Sequence, residues 1–167
     1  DGSFSRGIFK AHSQQEVTNI SNDLFKDSDI ILAQEYLYTP FDWRIGILNR
    51  KPIYACQYFM SGEHWQVVQH DTDSGSPTEG GSRTFPIEKV PKEVVKIAVK
   101  AARLIGDGLY GVDLKCIDNN VFVIEVNDNP NIDEGIEDLV LKDELYRIII
   151  QDFIRRLDER TKNGNGK

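Results

Sequence analysis

Three side chains that carry oxygen interrupt two apolar runs between residues 111 and 130, and their spacing could hold a cation. The polar residues 118–120 separate the runs, and this alternation with its turn chemistry predicts a β-hairpin. Glu125 and Asn127 are two residues apart, so they share one face of the second strand. If the loop is 118–120, Asp113 lies opposite Glu125 on that same face. The sequence therefore predicts that two carboxylates and one amide oxygen converge.

Converging carboxylates repel one another unless a cation lies between them. Hard oxygen ligands on a rigid hairpin suit Mg²⁺, which takes a few protein ligands and completes its shell with water and substrate phosphates. The alternative is that these residues are ordinary solvated acids on the wet face of a hairpin. Glu125 lies within VFVIEVN, however, an apolar run typical of a covered strand, where a carboxylate needs a partner. The spacing alone leaves both interpretations open.

Two further segments are suited to binding parts of a nucleotide. DGSFSRG at residues 1–7 combines small side chains, hydroxyl groups and one guanidinium, and such loops can wrap phosphates with backbone N–H groups. QEYL at residues 34–37 ends an apolar run, where backbone groups can meet a planar heterocycle. A plain turn and the polar end of a strand are the alternatives. The candidate residues are Gly2, Ser3, Ser5 and Gly7 in the first segment, and Gln34, Glu35, Tyr36 and Leu37 in the second.

Asp42, Arg44 and Lys115 are the remaining candidates. Asp42 and Arg44 alternate with apolar residues and so share one strand face. A carboxylate can accept hydrogen bonds from ribose hydroxyls, and a guanidinium can bind phosphate oxygens and stabilise developing charge. Lys115 lies two residues from Asp113, where it could neutralise a carboxylate or contact a phosphate. Surface or structural ion pairs are the alternative interpretation for all three residues.

The elements that position these residues follow from the apolar periodicity and the turn residues. An antiparallel sheet covered by helices, of the α+β class, is predicted, with one face left available for a ligand. Residues 72–84, which include Glu79, Gly80, Gly81 and Arg83, are predicted to be a mobile loop. The predicted helices are 14–25, opened by a capping box at Ser13, 91–105 and 139–160. The predicted strands are 7–11, 30–35, a hairpin of 42–48 and 52–59 turning at Asn49-Arg50, and 64–70.

Composition narrows the class of protein. The 167 residues suffice for one domain, and the net charge of −7 argues against a general binder of nucleic acid or anionic membranes. No run is long and apolar enough to span a membrane. Cys56 and Cys116 lack the spacing of metal ligands, and we expect buried free thiols in a cytoplasmic protein.

The order of these motifs resembles the ATP-grasp superfamily, and above all its RimK-type and glutathione-synthetase-like carboxylate–amine ligases. The resemblance spans nearly the whole chain, and it is carried by the segments GSFSRG, ILAQEYL, FDWRIGIL, EGGSRTFPIE, GVDLK and VIEVNDNPNIDEGIED. Residues 161–167 are polar and glycine-rich, which predicts a disordered tail. The resemblance implies that residues 1–160 are the C-terminal part of an ATP-grasp domain, within a longer protein. The resemblance also allows this chain to form a homo-oligomer.

Members of this family phosphorylate a substrate carboxylate with ATP, and an amine then attacks the acyl-phosphate to form an amide bond. The resemblance implies that Asp113, Glu125 and Asn127 bind two Mg²⁺ ions, with Mn²⁺ as an alternative metal. It implies a carboxylate substrate and an amine acceptor, which could be an amino acid, a peptide or a protein tail. Residues 34–37 would frame adenine, with Glu35 at its amino edge and Leu37 binding through its backbone.

The other roles follow from the same resemblance. Asp42 would bind the ribose, Arg44 would steady the transferring phosphoryl group, and Lys115 would lie beside the nucleotide. Residues 2–7 would form the mobile loop over the phosphates, and Arg83 lies in a candidate lid or acceptor contact. In the family an earlier lobe supplies lysines to the ATP phosphates and adenine, and Lys10 cannot be assumed to replace them. We therefore expect this chain alone to bind ATP weakly and to turn over little.

Two rival functions remain at this stage. A binding module could keep the fold and the nucleotide contacts without ligation. A non-enzymatic α+β interaction domain could instead use DNPNIDEGIED as an exposed acidic surface. An intact set of three metal ligands together with Arg44 favours the ligase.

Overall fold

The structure is a computed structural model that describes residues 7–60, 68–70, 77–79 and 81–164 of the chain. The helices are α1 (Gln14–Leu24), α2 (Lys92–Ile105) and α3 (Asp143–Gly164), with a short 3₁₀ helix at Ile87–Lys89. The strands are β1 (Phe41–Leu48), β2 (Lys51–Phe59), β3 (Val68–His70), β4 (Pro77–Glu79), β5 (Ser82–Phe85), β6 (Leu109–Ile117) and β7 (Asn120–Asn127). No helix in this described part is long and apolar enough to cross a membrane.

The helix ends carry the chemistry that predicts them. The Ser13 side chain accepts a hydrogen bond from the Glu16 N–H at 3.2 Å, and the Glu16 carboxylate accepts one from the His12 N–H at 2.7 Å. This exchange resembles the predicted capping box, except that the second N–H belongs to His12 rather than to the N-cap residue Ser13. Pro91 precedes α2, and Gly106 ends it by donating to the Ala102 carbonyl at 3.0 Å. The first two predicted helices are therefore confirmed.

The main sheet has the strand order β5-β2-β1-β6-β7, and every neighbouring pair is antiparallel. Both predicted hairpins are present. Asn49 and Arg50 turn β1 into β2 with φ of 47° and 65°, and Asp118 and Asn119 turn β6 into β7 with φ of 49° and 66°. Paired positive φ values are typical of two-residue type I′ turns, whose twist suits antiparallel strands. The second turn is shorter than predicted, because Asn120 already belongs to β7.

A β-bulge in β7 restores the register that the shorter turn would have changed. Leu114 pairs with Val123, whereas Asp113 pairs with Glu125, so Ile124 is the extra residue. Val123 therefore faces the same side as Leu114, and Glu125 faces the same side as Asp113. The predicted pairing of Asp113 with Glu125 is confirmed, although a two-residue turn plus a bulge produces it.

Alternation along the strands gives the sheet two chemically different faces. Helix α2 covers one face, where Trp43, Ile45, Val112 and Leu114 are buried with Val94, Ala98 and Ala102 of the helix. On the other face, α3 covers only one end, where Leu145 and Ile149 pack with Leu48, Tyr54 and Cys56. We call the rest of this second face the polar face; it carries Asp42, Arg44, Tyr58, Asp113, Lys115, Glu125 and Asn127. The predicted α+β class is confirmed.

Two predicted strands near the start of the chain are wrong. Residues 7–11 and 30–35 have no strand structure, although both segments are described. Ile30 and Leu32 are 85% and 86% exposed, so the second segment is not buried either. The apolar residues made a strand plausible, but a strand also needs a neighbouring strand for its backbone groups, and neither segment forms a β-ladder with any described residue.

Three predicted boundaries also require correction. The predicted loop 72–84 contains β4 and most of β5, which pairs with β2 and extends the main sheet. Of the predicted strand 64–70, only residues 68–70 are described, and they form β3, which pairs with β4 in a separate sheet rather than extending the main one. Helix α3 begins at Asp143 rather than at residue 139, because turns occupy the preceding residues up to Lys142, whose φ is 51°. It extends through Gly164, into the predicted tail.

Candidate active site on the polar face of the sheet

Arg44 and Asp113 form the centre of the polar face. They are direct cross-strand partners on β1 and β6, so their side chains project from the same side of the sheet. Arg44 Nε donates to Asp113 Oδ1 at 2.7 Å, and Arg44 Nη2 donates to Asp113 Oδ2 at 2.8 Å. Burial alone would lower the pKa of Arg44, but the hydrogen bonds and charge of Asp113 outweigh it and raise that pKa. The guanidinium is therefore a fixed, permanent cation.

A second ion pair lies beside the first. Lys115 Nζ donates to Asp42 Oδ1 at 2.5 Å and to Thr39 Oγ1 at 2.9 Å, and Thr39 Oγ1 donates to the same carboxylate oxygen at 2.8 Å. The structure thus places Asp42 on the same face as Arg44, as predicted. Lys115 contacts Asp42 rather than Asp113, so its contacts match the structural ion pair that was the alternative interpretation.

The three predicted metal ligands lie together on β6 and β7. Asp113 pairs with Glu125 across the strands, and Asn127 Nδ2 lies 3.3 Å from Asp113 Oδ2. Strand β7 is the edge of the sheet, and Glu125 is exposed, so the prediction that this run is covered is wrong within the described residues. In that part of the chain, no group of three His, Cys, Asp or Glu residues could hold a metal. The candidate set instead combines two carboxylates with an amide.

These three side chains fit a hard divalent cation. Both carboxylates face the same side from directly opposed positions, and the amide of Asn127 already contacts one of them. Rotation of that amide would present its oxygen instead of its nitrogen to the same place. Oxygen-only donors with one open side suit Mg²⁺, whose remaining positions are filled by water or phosphate.

A hydrogen-bonded pair of half-buried Tyr58 and buried Glu137, close to Arg44, was missed by sequence reasoning. Glu137, which is 1% exposed, accepts hydrogen bonds from the Tyr58 hydroxyl and from the Asp133 N–H, the latter at 2.8 Å. Burial, together with Glu137, raises the pKa of Tyr58. The guanidinium carbon of Arg44 lies 5.1 Å from the centre of the Tyr58 ring, within cation–π range. Tyr58 therefore gives the guanidinium a second contact besides Asp113.

The sequence contained a signal for the position of Tyr58 but none for that of Glu137. Tyr58 lies in phase with Cys56, which pairs with Arg44, so strand alternation could have placed Tyr58 on the polar face. Glu137 lies in an irregular segment whose position no periodicity predicts. The segment is anchored where Thr84 Oγ1 donates to the Ile136 carbonyl at 2.5 Å.

Close packing at Gly111 brings the chain after β7 over this face. A Cβ atom on Gly111 would lie 2.7 Å from Pro130 Cβ and 3.6 Å from Arg44 Cδ. Only glycine leaves room for this approach, since 2.7 Å is far below van der Waals contact. The GVD motif thus places a glycine and a carboxylate on the same side of β6, on either side of Val112.

The predicted adenine segment is only partly brought to the site. Gln34, Glu35 and Tyr36 are exposed and Leu37 is half-buried, and all four lie outside any strand. The segment leads directly into Thr39, which is buried and bonded to Asp42. Lys10 Nζ lies 3.6 Å from the centre of the Tyr36 ring.

The predicted phosphate loop falls mostly beyond the described residues. Gly2, Ser3 and Ser5 lie outside them, and Gly7 stands at their beginning with φ of 76°, a value that favours glycine. The two cysteines are free, as predicted, but only Cys56 is buried, whereas Cys116 is half-buried. Burial raises the pKa of the Cys56 thiol to about 11, so this thiol is inert at neutral pH.

Comparison of sequences relates this chain to known proteins. The family model described as the RimK-like ATP-grasp domain matches residues 1–149. A probable alpha-L-glutamate ligase from Parasynechococcus marenigrum (strain WH8102) is 26% identical over 159 residues, which make up 94% of this chain and 32% of the relative. A protein of the same name from Saccharophagus degradans is 27% identical over 156 residues, or 92% of this chain and 48% of the relative. The chain thus spans less than half the length of these relatives.

Comparison of structures agrees at the level of the fold. The crystal structure of D-alanine–D-alanine ligase from Bacillus anthracis complexed with ATP matches with a TM-score of 0.64 and 15% identity, covering 90% of this chain and 50% of that one. Another structure of the same ligase gives a TM-score of 0.60. The family match covers most of the chain, and the fold and the order of the motifs on the polar face agree with it. The chain therefore belongs to the RimK-like ATP-grasp domain family.

Proposed function

We propose that this chain is the catalytic lobe of an ATP-dependent carboxylate–amine ligase, and that its polar face binds the phosphates of Mg-ATP. Family membership supports the reaction class, and the geometry of Arg44 is the observation that carries the assignment to this face. The proposed product is an amide bond formed through an acyl-phosphate, with ADP and phosphate released.

Arg44 is oriented so that part of its guanidinium stays available. Asp113 occupies Nε and Nη2, while Nη1 makes no hydrogen bond to any described residue. The carboxylate of Asp113 fixes one edge of this guanidinium, and the ring of Tyr58 contacts it as well. A guanidinium that is already fixed loses little entropy when its free edge binds a phosphate oxygen. We propose that Nη1 of Arg44 stabilises the charge on the transferring phosphoryl group.

Asp113, Glu125 and Asn127 are the residues that would hold magnesium. When bound, the metal would supply positive charge that offsets the phosphate oxygens and aligns them for transfer. Two ions, and Mn²⁺ as a substitute, remain part of the proposal. Because β7 is an edge strand, these ligands can be reached from solvent by the metal–nucleotide complex.

The remaining nucleotide contacts are assigned by position. Asp42, held by Lys115 and Thr39, would accept hydrogen bonds from the ribose hydroxyls, and Lys115 would balance its charge. Glu35 and Leu37 would bind the adenine edge, since their segment leads through Thr39 to Asp42. The glycine-rich loop ending at Gly7 would cover the phosphates and exclude water from the acyl-phosphate.

The substrates are proposed from the relatives alone. Because the relatives are called alpha-L-glutamate ligases, we propose glutamate as the first amine acceptor to test, and a peptide or protein carboxylate as the partner it joins. We further propose a cytoplasmic location, which the two free thiols support.

Calorimetric titration of Mg-ATP into this chain tests the proposal. We expect weak binding that disappears when EDTA replaces Mg²⁺, and that Glu125→Ala abolishes. Glu88→Ala is the matched control, since Glu88 is an equally exposed carboxylate outside the polar face. Equal loss in both variants, or binding that is indifferent to metal, would contradict the assignment.

Turnover separates a ligase from a nucleotide-binding module, and it should be measured on the full-length protein. We expect ADP release that depends on both glutamate and a carboxylate substrate. Arg44→Met should lower kcat by a larger factor than it raises the Kd for ATP. Metal-dependent ATP binding without acceptor-dependent ADP release would support the module instead.

A further inference from the structure

A cationic groove lies far from the polar face, between the β1–β2 turn and one side of α2. It has a volume of about 520 Å³. Its basic lining residues are Arg50 and Lys51 from the turn, and Lys96, Lys100 and Arg103 from the helix. We call it the basic groove. Five cations around one groove are unexpected in a chain whose net charge is −7.

Most of these cations form no ion pair with any residue that the structure describes. Lys96 pairs with Glu93 at 3.1 Å, whereas Arg50, Lys51, Lys100 and Arg103 form no ion pair within the described part of the chain. None of the described residues that line the groove is acidic. Like charges held this close raise the free energy of the unoccupied surface, and an anionic ligand would relieve that repulsion.

Apolar side chains form the rest of the lining. Pro52, Val95 and Val99 lie between the cations, and Leu104 is 84% exposed at one end. A ligand with charged groups alone would make no apolar contacts with these side chains. The lining therefore suits a ligand in which acidic and aliphatic groups alternate.

We propose that the basic groove docks an acidic peptide segment of a partner protein, with glutamate or aspartate side chains beside aliphatic ones. Single-stranded nucleic acid suits it less well, because its bases stack on aromatic residues and the lining contains none among the described residues. An anionic membrane suits it less well, because the chain as a whole is acidic and would be repelled.

The basic groove is separate from the candidate active site. Arg50 lies six residues beyond Arg44 along the β1–β2 hairpin, which corresponds to roughly 20 Å at the rise of a strand. Helix α2 also packs on the sheet face opposite to Arg44. Peptide binding should therefore not require ATP or Mg²⁺, and it stands whether or not the proposed ligase activity does.

Fluorescence anisotropy with a labelled peptide of alternating glutamate and leucine tests this proposal. We expect saturable binding that weakens as salt is raised, and that Lys100→Glu with Arg103→Glu weakens by at least about tenfold. Lys89→Glu with Lys92→Glu is the control, because it makes the same change of charge at exposed residues outside the groove and should have a far smaller effect.

Further probes make the result decisive. The same peptide with glutamine in place of glutamate should not bind, and a single-stranded oligothymidylate should bind more weakly than the acidic peptide. The proposal is overturned if the oligonucleotide binds more tightly, if the glutamine peptide binds equally well, or if both double variants lose affinity alike. Thermal unfolding checks that each variant is folded. If the Lys100→Glu, Arg103→Glu variant is unfolded, the Lys100→Gln, Arg103→Gln variant takes its place.

Discussion

The two faces of the main sheet are built by the same strands and yet depend on different physics. The face under α2 is apolar and continuous, so each side chain is stabilised by many weak contacts. The polar face holds charges in specific pairs, Arg44 with Asp113 and Lys115 with Asp42, and each side chain depends on one partner. Substitutions on the first face should therefore change stability alone, whereas those on the second should change function as well.

Neighbouring residues allow a direct comparison, and the largest effect is expected on the apolar face. Leu114 is fully buried against α2, and Leu114→Ala should lower the free energy of unfolding by about 3–4 kcal/mol. Urea denaturation measures this change. Leu139→Ala, at a half-exposed leucine, should cost under about 0.5 kcal/mol. Similar costs for both variants would mean that Leu114 does not contribute to the core as described.

Asp113→Ala should be somewhat less destabilising but should remove function. It leaves the partly buried guanidinium of Arg44 without its partner, which should cost about 2–3 kcal/mol in urea denaturation. Calorimetry should show that metal-dependent nucleotide binding is lost. The double variant Arg44→Met with Asp113→Leu should recover stability but not binding, since no charge is then left unpaired. Recovery of binding would contradict the proposed role of Asp113.

Two tyrosines on β2 give the smallest contrast and the sharpest control. Tyr58→Phe leaves buried Glu137 without one of its two hydrogen bonds and should cost about 1–3 kcal/mol. The hydroxyl of Tyr54 is buried with no hydrogen-bond partner among the described residues, so Tyr54→Phe should cost nothing or stabilise the fold. Urea denaturation of both variants measures the difference. Equal costs would show that the Tyr58–Glu137 bond does not stabilise the fold.

Local chemistry explains which parts of the fold could be predicted from the sequence. Turn residues and alternation defined both hairpins, and capping residues defined α1 and α2, because these signals act between neighbours in the chain. The segment around Ile30 and Leu32 was predicted wrongly, because apolar composition shows that a strand is favourable but not whether a partner strand is present. The prediction that Glu125 is covered was wrong for a similar reason, because composition did not show that β7 would be an edge strand.

The candidate site divides in the same way. Spacing of two correctly grouped Asp42 with Arg44, Asp113 with Lys115, and Glu125 with Asn127. That these groups share one face depends on how the strands pair and on the bulge at Ile124, which spacing does not contain. The buried Glu137 was not predictable, because it reaches Tyr58 through an irregular chain segment held by tertiary contacts. Lys115 was placed correctly on the polar face, but its choice of Asp42 over Asp113 depends on distances that sequence does not contain.

The extra residue at Ile124 sets how many residues β7 can lose before its two faces exchange. Deleting Ile124 alone would remove the bulge and place Glu125 directly after Val123, so Glu125 would still pair with Asp113 on the polar face. Deleting Val123 as well would bring Glu125 opposite Leu114 and turn Glu125 and Asn127, the proposed metal ligands, toward α2. Loss of one residue between Asn120 and Glu125 should therefore be far better tolerated than loss of two, whichever amino acids are removed.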